Sequence, residues 1–185
     1  MNPTVKHNVF ISFHSKDEAY RNDFETRFGH LFTSKSVQNG DIDPDNKDEY
    51  TKRLIRENHI SNSSVIVALY GAETKDRKHV DWEISAGLSA QANGHSGLVV
   101  IILPNFPIVP FDQGNNFKKE MLYQYVHPRT AKNIESGFAD VYFWPGLYNH
   151  LTDVSVSDVV ETAFQKRISH QELIDHSEEQ YVRNR

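Results

Sequence analysis

Three short stretches carry almost no charged or bulky polar side chains: NVFISF at residues 8–13, SSVIVALYG at 63–71 and GLVVIILP at 97–104. Each is too short to span a membrane and rich in β-branched residues, so each reads as a strand that is apolar on both faces. Such a strand needs cover from both sides, which a sheet with one solvated face does not provide. The chain is therefore predicted to build a parallel sheet between two layers of helices, with these runs as adjacent strands and the first in the middle.

The segments between the runs have helical spacing. After the first run, SKDE at 15–18 has the form of a capping box, and Tyr20, Phe24, Phe28 and Phe32 then recur every four residues as one buried face. Residues 36–38 leave room for a short second strand, and Tyr50, Leu54 and Asn58 mark a second helix. RKHVDWEISAGL at 77–88 opens a third, with Val80, Ile84, Leu88 and Ala92 as its core stripe. Beyond Pro104 the alternation breaks into a proline-rich insertion. A short helix or edge strand at 116–126 and a short helix at 128–137 follow, then a fifth strand at 139–144 and a closing helix carrying Val156, Val159, Val160, Ala163 and Phe164. Residues 1–168 are read as a single domain. Residues 169–185 are read as a polar tail without a sustained apolar stripe, adding little to the core. The fold class is α/β, flavodoxin-like: about five parallel strands in the order 2-1-3-4-5, helices on both faces, and an insertion after the fourth strand.

Bulk properties exclude several classes of function. The net charge is −5, with no basic stripe to hold a polyphosphate backbone, so nucleic acid is not expected as a partner. The absence of cysteine removes disulfides, thiolate metal sites and a cysteine nucleophile, and agrees with a cytoplasmic location. No run approaches the length of a membrane span, and MNPTVKHN lacks the apolar core of a signal peptide. No metal site is expected: no two of the ten histidines stand three or four residues apart. Asp41, Asp43 and Asp45 alternate like calcium ligands, but Asn46 and Lys52 occupy the positions where that loop needs glycine and glutamate. Phosphate-binding glycine motifs and the nucleophile elbow are absent too.

One acid stands out. Glu83 falls about 100° from the centre of the core stripe of its helix, at the margin of the buried face, among the small residues Ala86, Gly87 and Ala90. In a 2-1-3-4-5 sheet, ligands bind outside the carboxyl ends of the first and third strands, where the strand order reverses. That crevice is expected to hold Phe13, His14 and Ser15 from the first strand, Tyr70, Gly71 and Thr74 from the third, and the helix bearing Glu83. Phe13 reads equally as a pocket wall or as core, and His14 as a pocket edge or as a hydrogen bond at the helix start. Trp82 points away from the stripe.

VFISFHSKD, SVIVALYG and RKHVDWEI, in that order, resemble the TIR superfamily, and most of all the TIR-like proteins of bacterial Thoeris antiviral defence. The likeness is good over about the first 105 residues and loose beyond. It implies that Glu83 is the catalytic glutamate of a TIR-like enzyme that consumes NAD⁺ as substrate, with no separate cofactor. It implies further that the enzyme makes a cyclic or conjugated ADP-ribose signal, which diffuses to a separate effector protein. Ser12, Phe13, His14, Asp43, Tyr70 and Gly71 are the candidate substrate-binding residues, and a homo-oligomer is compatible with the family. The chain departs from the family pattern at His79, where many TIR domains have an aromatic four residues before the glutamate. Two other readings stay open: a non-catalytic TIR-like scaffold using exposed Trp82 as a contact, and a nucleoside deoxyribosyltransferase-like enzyme, which also uses a glutamate on a related fold.

Overall fold

The computed structural model describes residues 5–36, 54, 57–90, 93–147 and 153–185. Five strands, β1 Asn8–Ser12, β2 Thr33–Ser34, β3 Val65–Tyr70, β4 Gly97–Ile102 and β5 Asp140–Phe143, form one sheet in the order β2-β1-β3-β4-β5. Every neighbouring pair is parallel. Among the described residues, α1 Glu18–Phe28, α2 Lys78–Leu88, α3 Pro128–Glu135 and α4 Asp153–Ser169 accompany them. Residues 57–61 are also helical. This is the doubly wound, flavodoxin-like α/β arrangement. Of the three apolar runs, 63–70 rather than 8–13 lies between the other two.

Alternation along the strands divides the core. Phe10, Ile66, Ala68, Tyr70, Leu98, Val100 and Ile102 meet Val80, Ile84 and Leu88 of α2 and Ala131 and Ile134 of α3. The residues between them, Val9, Ile11, Val65, Val67, Leu69, Val99 and Ile101, meet Phe24 and Phe28 of α1 and Val156, Val159, Val160 and Ala163 of α4. Period-two side chains on strands apolar at every position fill both layers at once.

Local details differ from the sequence reading. The SKDE segment begins with a 3₁₀ turn, Ser15–Asp17, and its side chains make no capping bond. Asp17 is turned inward instead and is nearly inaccessible to water. The second strand lies at Thr33–Ser34 rather than 36–38, because the backbone is already extended at buried Phe32; residues 37 and 38 lie outside the described residues, as does Ala92 of the α2 stripe. Ser36 still serves the sheet, its Oγ accepting the Ile11 amide at 2.7 Å. The insertion forms a 3₁₀ turn, Lys119–Leu122, that buries Leu122.

The largest correction concerns the carboxyl-terminal segment. Residues 174–185 run as a strap across α2 and α3, burying Ile174 and Tyr181. Asp175 exchanges two hydrogen bonds with Asn133: its amide donates to Asn133 Oδ1 and its carbonyl accepts from Nδ2, both at 3.0 Å. Below the strap, Asp81 and Arg129 pair at 3.2 Å, 1 % and 3 % exposed, deep enough that each needs further partners. The strap supplies them: the Tyr181 amide donates to Asp81 Oδ2 at 2.8 Å, and Arg129 Nη2 donates to the Glu178 carbonyl at 2.6 Å. Trp82 is engaged as well, its indole N–H donating to the Tyr181 carbonyl at 2.7 Å, which withdraws the contact expected of it as an exposed aromatic. A helix face that looked solvated is covered by main chain from about 100 residues away.

A second polar network lies beside it. His127 donates from Nε2 to the Arg77 carbonyl at 3.0 Å and accepts from the Tyr70 hydroxyl at Nδ1 at 2.7 Å, so Thr130 donates in turn to the Tyr70 oxygen. In this arrangement both ring nitrogens of the neutral imidazole are satisfied. Burial, offset in part by Asp81, depresses its pKa to about 4.

Two outcomes are expected. Cutting the buried pair with Arg129→Met strands the Asp81 carboxylate and should lower unfolding free energy by about 3–5 kcal/mol, and deleting residues 174–185 should lower the melting temperature by more than about 5 °C. A tail without stabilising contacts would leave the melting temperature unchanged in the deletion. Since the unfolded chain protonates its histidine near pH 6.5 and the folded one only near 4, stability is complete above pH 6.5 and falls as pH drops through that window. The His127 share of that loss is on the order of 3 kcal/mol; in urea melts at pH 7, 6, 5 and 4, His127→Gln should flatten the slope between 6.5 and 4.

Candidate functional site

The site is set by how closely α2 lies on the sheet. A Cβ at Gly87 would overlap Cδ1 of Ile66, so glycine there lets the helix settle onto β3. One turn earlier on the same side, Glu83 is carried over the carboxyl end of β1. Ser12, the last residue of β1, shares a face with Phe10 and so points toward α2. The Ser12 hydroxyl donates to Glu83 Oε2 at 2.6 Å, and the two residues are 0 % and 8 % exposed. That length is within the range of a hydroxyl donating to a carboxyl oxygen. The acid is thus deeper than its helical angle suggested, and oriented by a serine from another element. Its position is the switch point between β1 and β3.

His14 continues the Ser12 face on extended backbone (φ −81°, ψ 140°) and is itself buried. Burial, and then the charge of Arg77, lower its pKa, which favours the neutral ring. Phe13 lies on the opposite face, packed with the α1 and α4 core beneath the Arg21 guanidinium, 5.9 Å from its ring centroid. Of its two readings the structure favours core, and Phe13 does not join Glu83. Tyr70 does not either: it is wholly buried, and burial raises its pKa while its hydroxyl is taken up by His127 and Thr130. Asp43 lies outside the described residues.

Gly71 is near the crevice, but in a supporting role. Its amide donates to Thr74 Oγ1 at 2.9 Å, Thr74 donates to Asp17 Oδ2 at 3.3 Å, and Asn105 donates to Asp17 Oδ1 at 2.8 Å. A single buried carboxylate therefore ties together the loops after β1, β3 and β4. A Cβ at Gly71 would come within 2.7 Å of the Asp17 carboxylate carbon. Nothing local in the sequence marks Asn105, in a proline-rich stretch, as a partner of Asp17, 88 positions away.

Ser12 and Glu83 thus meet, and His14 follows on the Ser12 side of the strand, while Phe13 and Tyr70 are directed elsewhere. Among the described residues no group of three or more histidines and acids is disposed to hold a metal ion, and no helix is long and apolar enough to cross a membrane.

The stretch that builds this crevice, residues 10–106, matches the family model for the TIR-like domain of the Thoeris protein ThsB. This chain belongs to that family. The ThsB-type region covers just over half of the chain, from β1 through β4, and includes both Ser12 and Glu83; α3, β5, α4 and the strap lie outside it. The chain accordingly carries a TIR-like module of an antiphage defence system. No curated protein matches the sequence. Among solved structures, the flavoenzyme NAD(P)H:(acceptor) oxidoreductase FerB from Paracoccus denitrificans aligns over 91 % of this chain and 97 % of its own, at 12 % identity and a TM-score of 0.42, a likeness too loose to argue from.

The Asp17 tie sets an expected outcome. Gly71→Ala should displace the carboxylate from Thr74 or Asn105 and cost about 1–3 kcal/mol, whereas Gly29→Ala, where a Cβ meets nothing within 4 Å, should cost no more than a few tenths. Chemical denaturation of the two variants side by side checks this.

Proposed function

We propose that the chain is a TIR-like enzyme that cleaves NAD⁺ at Glu83 and releases an ADP-ribose-derived signal, cyclic or conjugated, for a separate effector in antiphage defence. The observation that carries this reading is the buried Glu83 carboxylate, oriented by Ser12 at the switch point of the sheet. Nicotinamide leaves a cationic pyridinium as a neutral molecule, taking the electron pair of the N-glycosidic bond, so the leaving group needs no general acid. Positive charge develops on the ribose, and one fixed carboxylate meets it. Water or a nucleophile within or beside the substrate then attacks the anomeric carbon, giving free, cyclic or conjugated ADP-ribose. Ser12 has the task of holding the carboxylate, and His14 borders the same crevice. The enzyme works in the cytoplasm, and a homo-oligomer is compatible with this scheme. Family membership favours it over deoxyribosyl transfer, and the engagement of Trp82 by the strap leaves the scaffold alternative without its contact residue.

The test compares wild type with Glu83→Gln at matched folded concentration, incubated with NAD⁺ with and without lysate from phage-infected cells, the products resolved by mass spectrometry. Glutamine keeps an oxygen for Ser12 and removes the charge, so the rate should fall on the order of 10² to 10³, about 3–4 kcal/mol of barrier. Equal output from the two proteins removes Glu83 from the mechanism.

A further inference from the structure

At the mouth of the crevice two cations share one carboxylate. Glu73 accepts from Lys16 Nζ at Oε1 and from Arg77 Nη2 at Oε2, both at 2.6 Å. Lys16 follows β1 and Arg77 immediately precedes α2, so they come from the two rims of the switch point. The third member is His14. It is 9 % exposed, and its Nε2 has no hydrogen-bond partner among the described residues, lying 3.8 Å from Glu73 Oε2. Leaving a buried ring nitrogen unbonded is costly, and this one is directed at the position the shared carboxylate occupies.

Stability does not explain the arrangement. Lys16 and Glu73 are 67 % and 39 % exposed, a setting in which ion pairs contribute little. Position is more informative. His14 stands two residues beyond Ser12 on extended chain, about 7 Å, and Arg77, just before the first residue of α2, stands six residues before Glu83, about 9 Å. The cradle thus sits one ribose and its 5′-oxygen away from the carboxylate that would face the anomeric carbon. Two cations and a ring nitrogen offer more donors than one carboxylate uses, and they match the oxygens of a diphosphate bridge.

We propose that His14, Lys16 and Arg77 form the diphosphate subsite of this crevice, and that Glu73 is an internal anion which the diphosphate of a dinucleotide displaces. The assignment rests on the dinucleotide reading above, but it is tested separately. In full-length Glu83→Gln, titration calorimetry with ADP should show binding; Lys16→Gln and Arg77→Gln should each weaken it about tenfold, and Glu73→Gln should tighten it about threefold or more. Lys16 is exposed enough that its replacement leaves folding intact, and circular dichroism verifies the others. No ADP binding, affinity in the two cation variants unchanged from that of Glu83→Gln alone, or weaker binding in Glu73→Gln overturns the subsite. NAD⁺ turnover that depends on Glu83 while ADP ignores Lys16 and Arg77 sinks this proposal alone; ADP binding that follows the cations while turnover ignores Glu83 sinks the catalytic reading and leaves the subsite standing.

Discussion

Asp81 and Arg129 form a salt bridge almost withdrawn from water, and the placement of the helix that carries Glu83 depends on it. A buried pair is not stabilising by default, because desolvating two charges costs several kcal/mol each. This one is sustained by what surrounds it: Asp81 also accepts a main-chain amide and Arg129 also donates to a main-chain carbonyl, both from the strap. Asp81 lies in the first turn of α2, where the helix dipole favours an acid, and Arg129 in the first turn of α3, where the dipole disfavours a cation. Each charge is tolerable because of the other, and the strap is held by both.

Helix α2 is thereby gripped from two sides. Toward the sheet, Gly87 permits contact with Ile66, and Glu83 reaches Ser12. Away from it, Trp82 and Ser85 are bonded by strap residues, Ser85 Oγ accepting from Gln180 at 2.9 Å. A carboxylate assigned to meet a developing charge has to be held before that charge appears, and a helix free to roll would lose the Ser12 bond. The strap lies outside the region shared with the ThsB TIR-like family, so this half of the grip belongs to the chain's own carboxyl-terminal part.

The loops at the switch point are joined by polar ties. Asp17 spans three loops, and Glu73 joins two rims. The two acids differ in kind. Asp17 is sealed in, with its partners fixed around it, and works as a rivet. Glu73 is part-exposed on a short loop, its pKa lowered chiefly by the Lys16 hydrogen bond.

Sheet order, helix layers and the general position of the crevice were legible in the sequence, because apolar continuity over 8–13, 63–71 and 97–104 leaves few ways to cover both faces of a strand. Glu83 was legible for a related reason: helical geometry sets an angle, and the angle put the acid beside the core. Its depth was not, since that depends on the approach of α2 to Ile66, a contact between residues 21 apart in the chain. Strand alternation separated Ser12 and His14 from Phe13, a distinction available in principle from the sequence, while the inward turn of Tyr70 depended on His127 and Thr130 in a later segment. The strap escaped notice altogether. It buries two isolated apolar residues, and its contacts with the buried charges are made by main-chain groups about 100 and 50 positions away from those side chains. Periodicity in a sequence reports how an element covers itself against a core; hydrogen bonds between distant backbone and buried charge leave no period, and only the tertiary structure brings their two ends together.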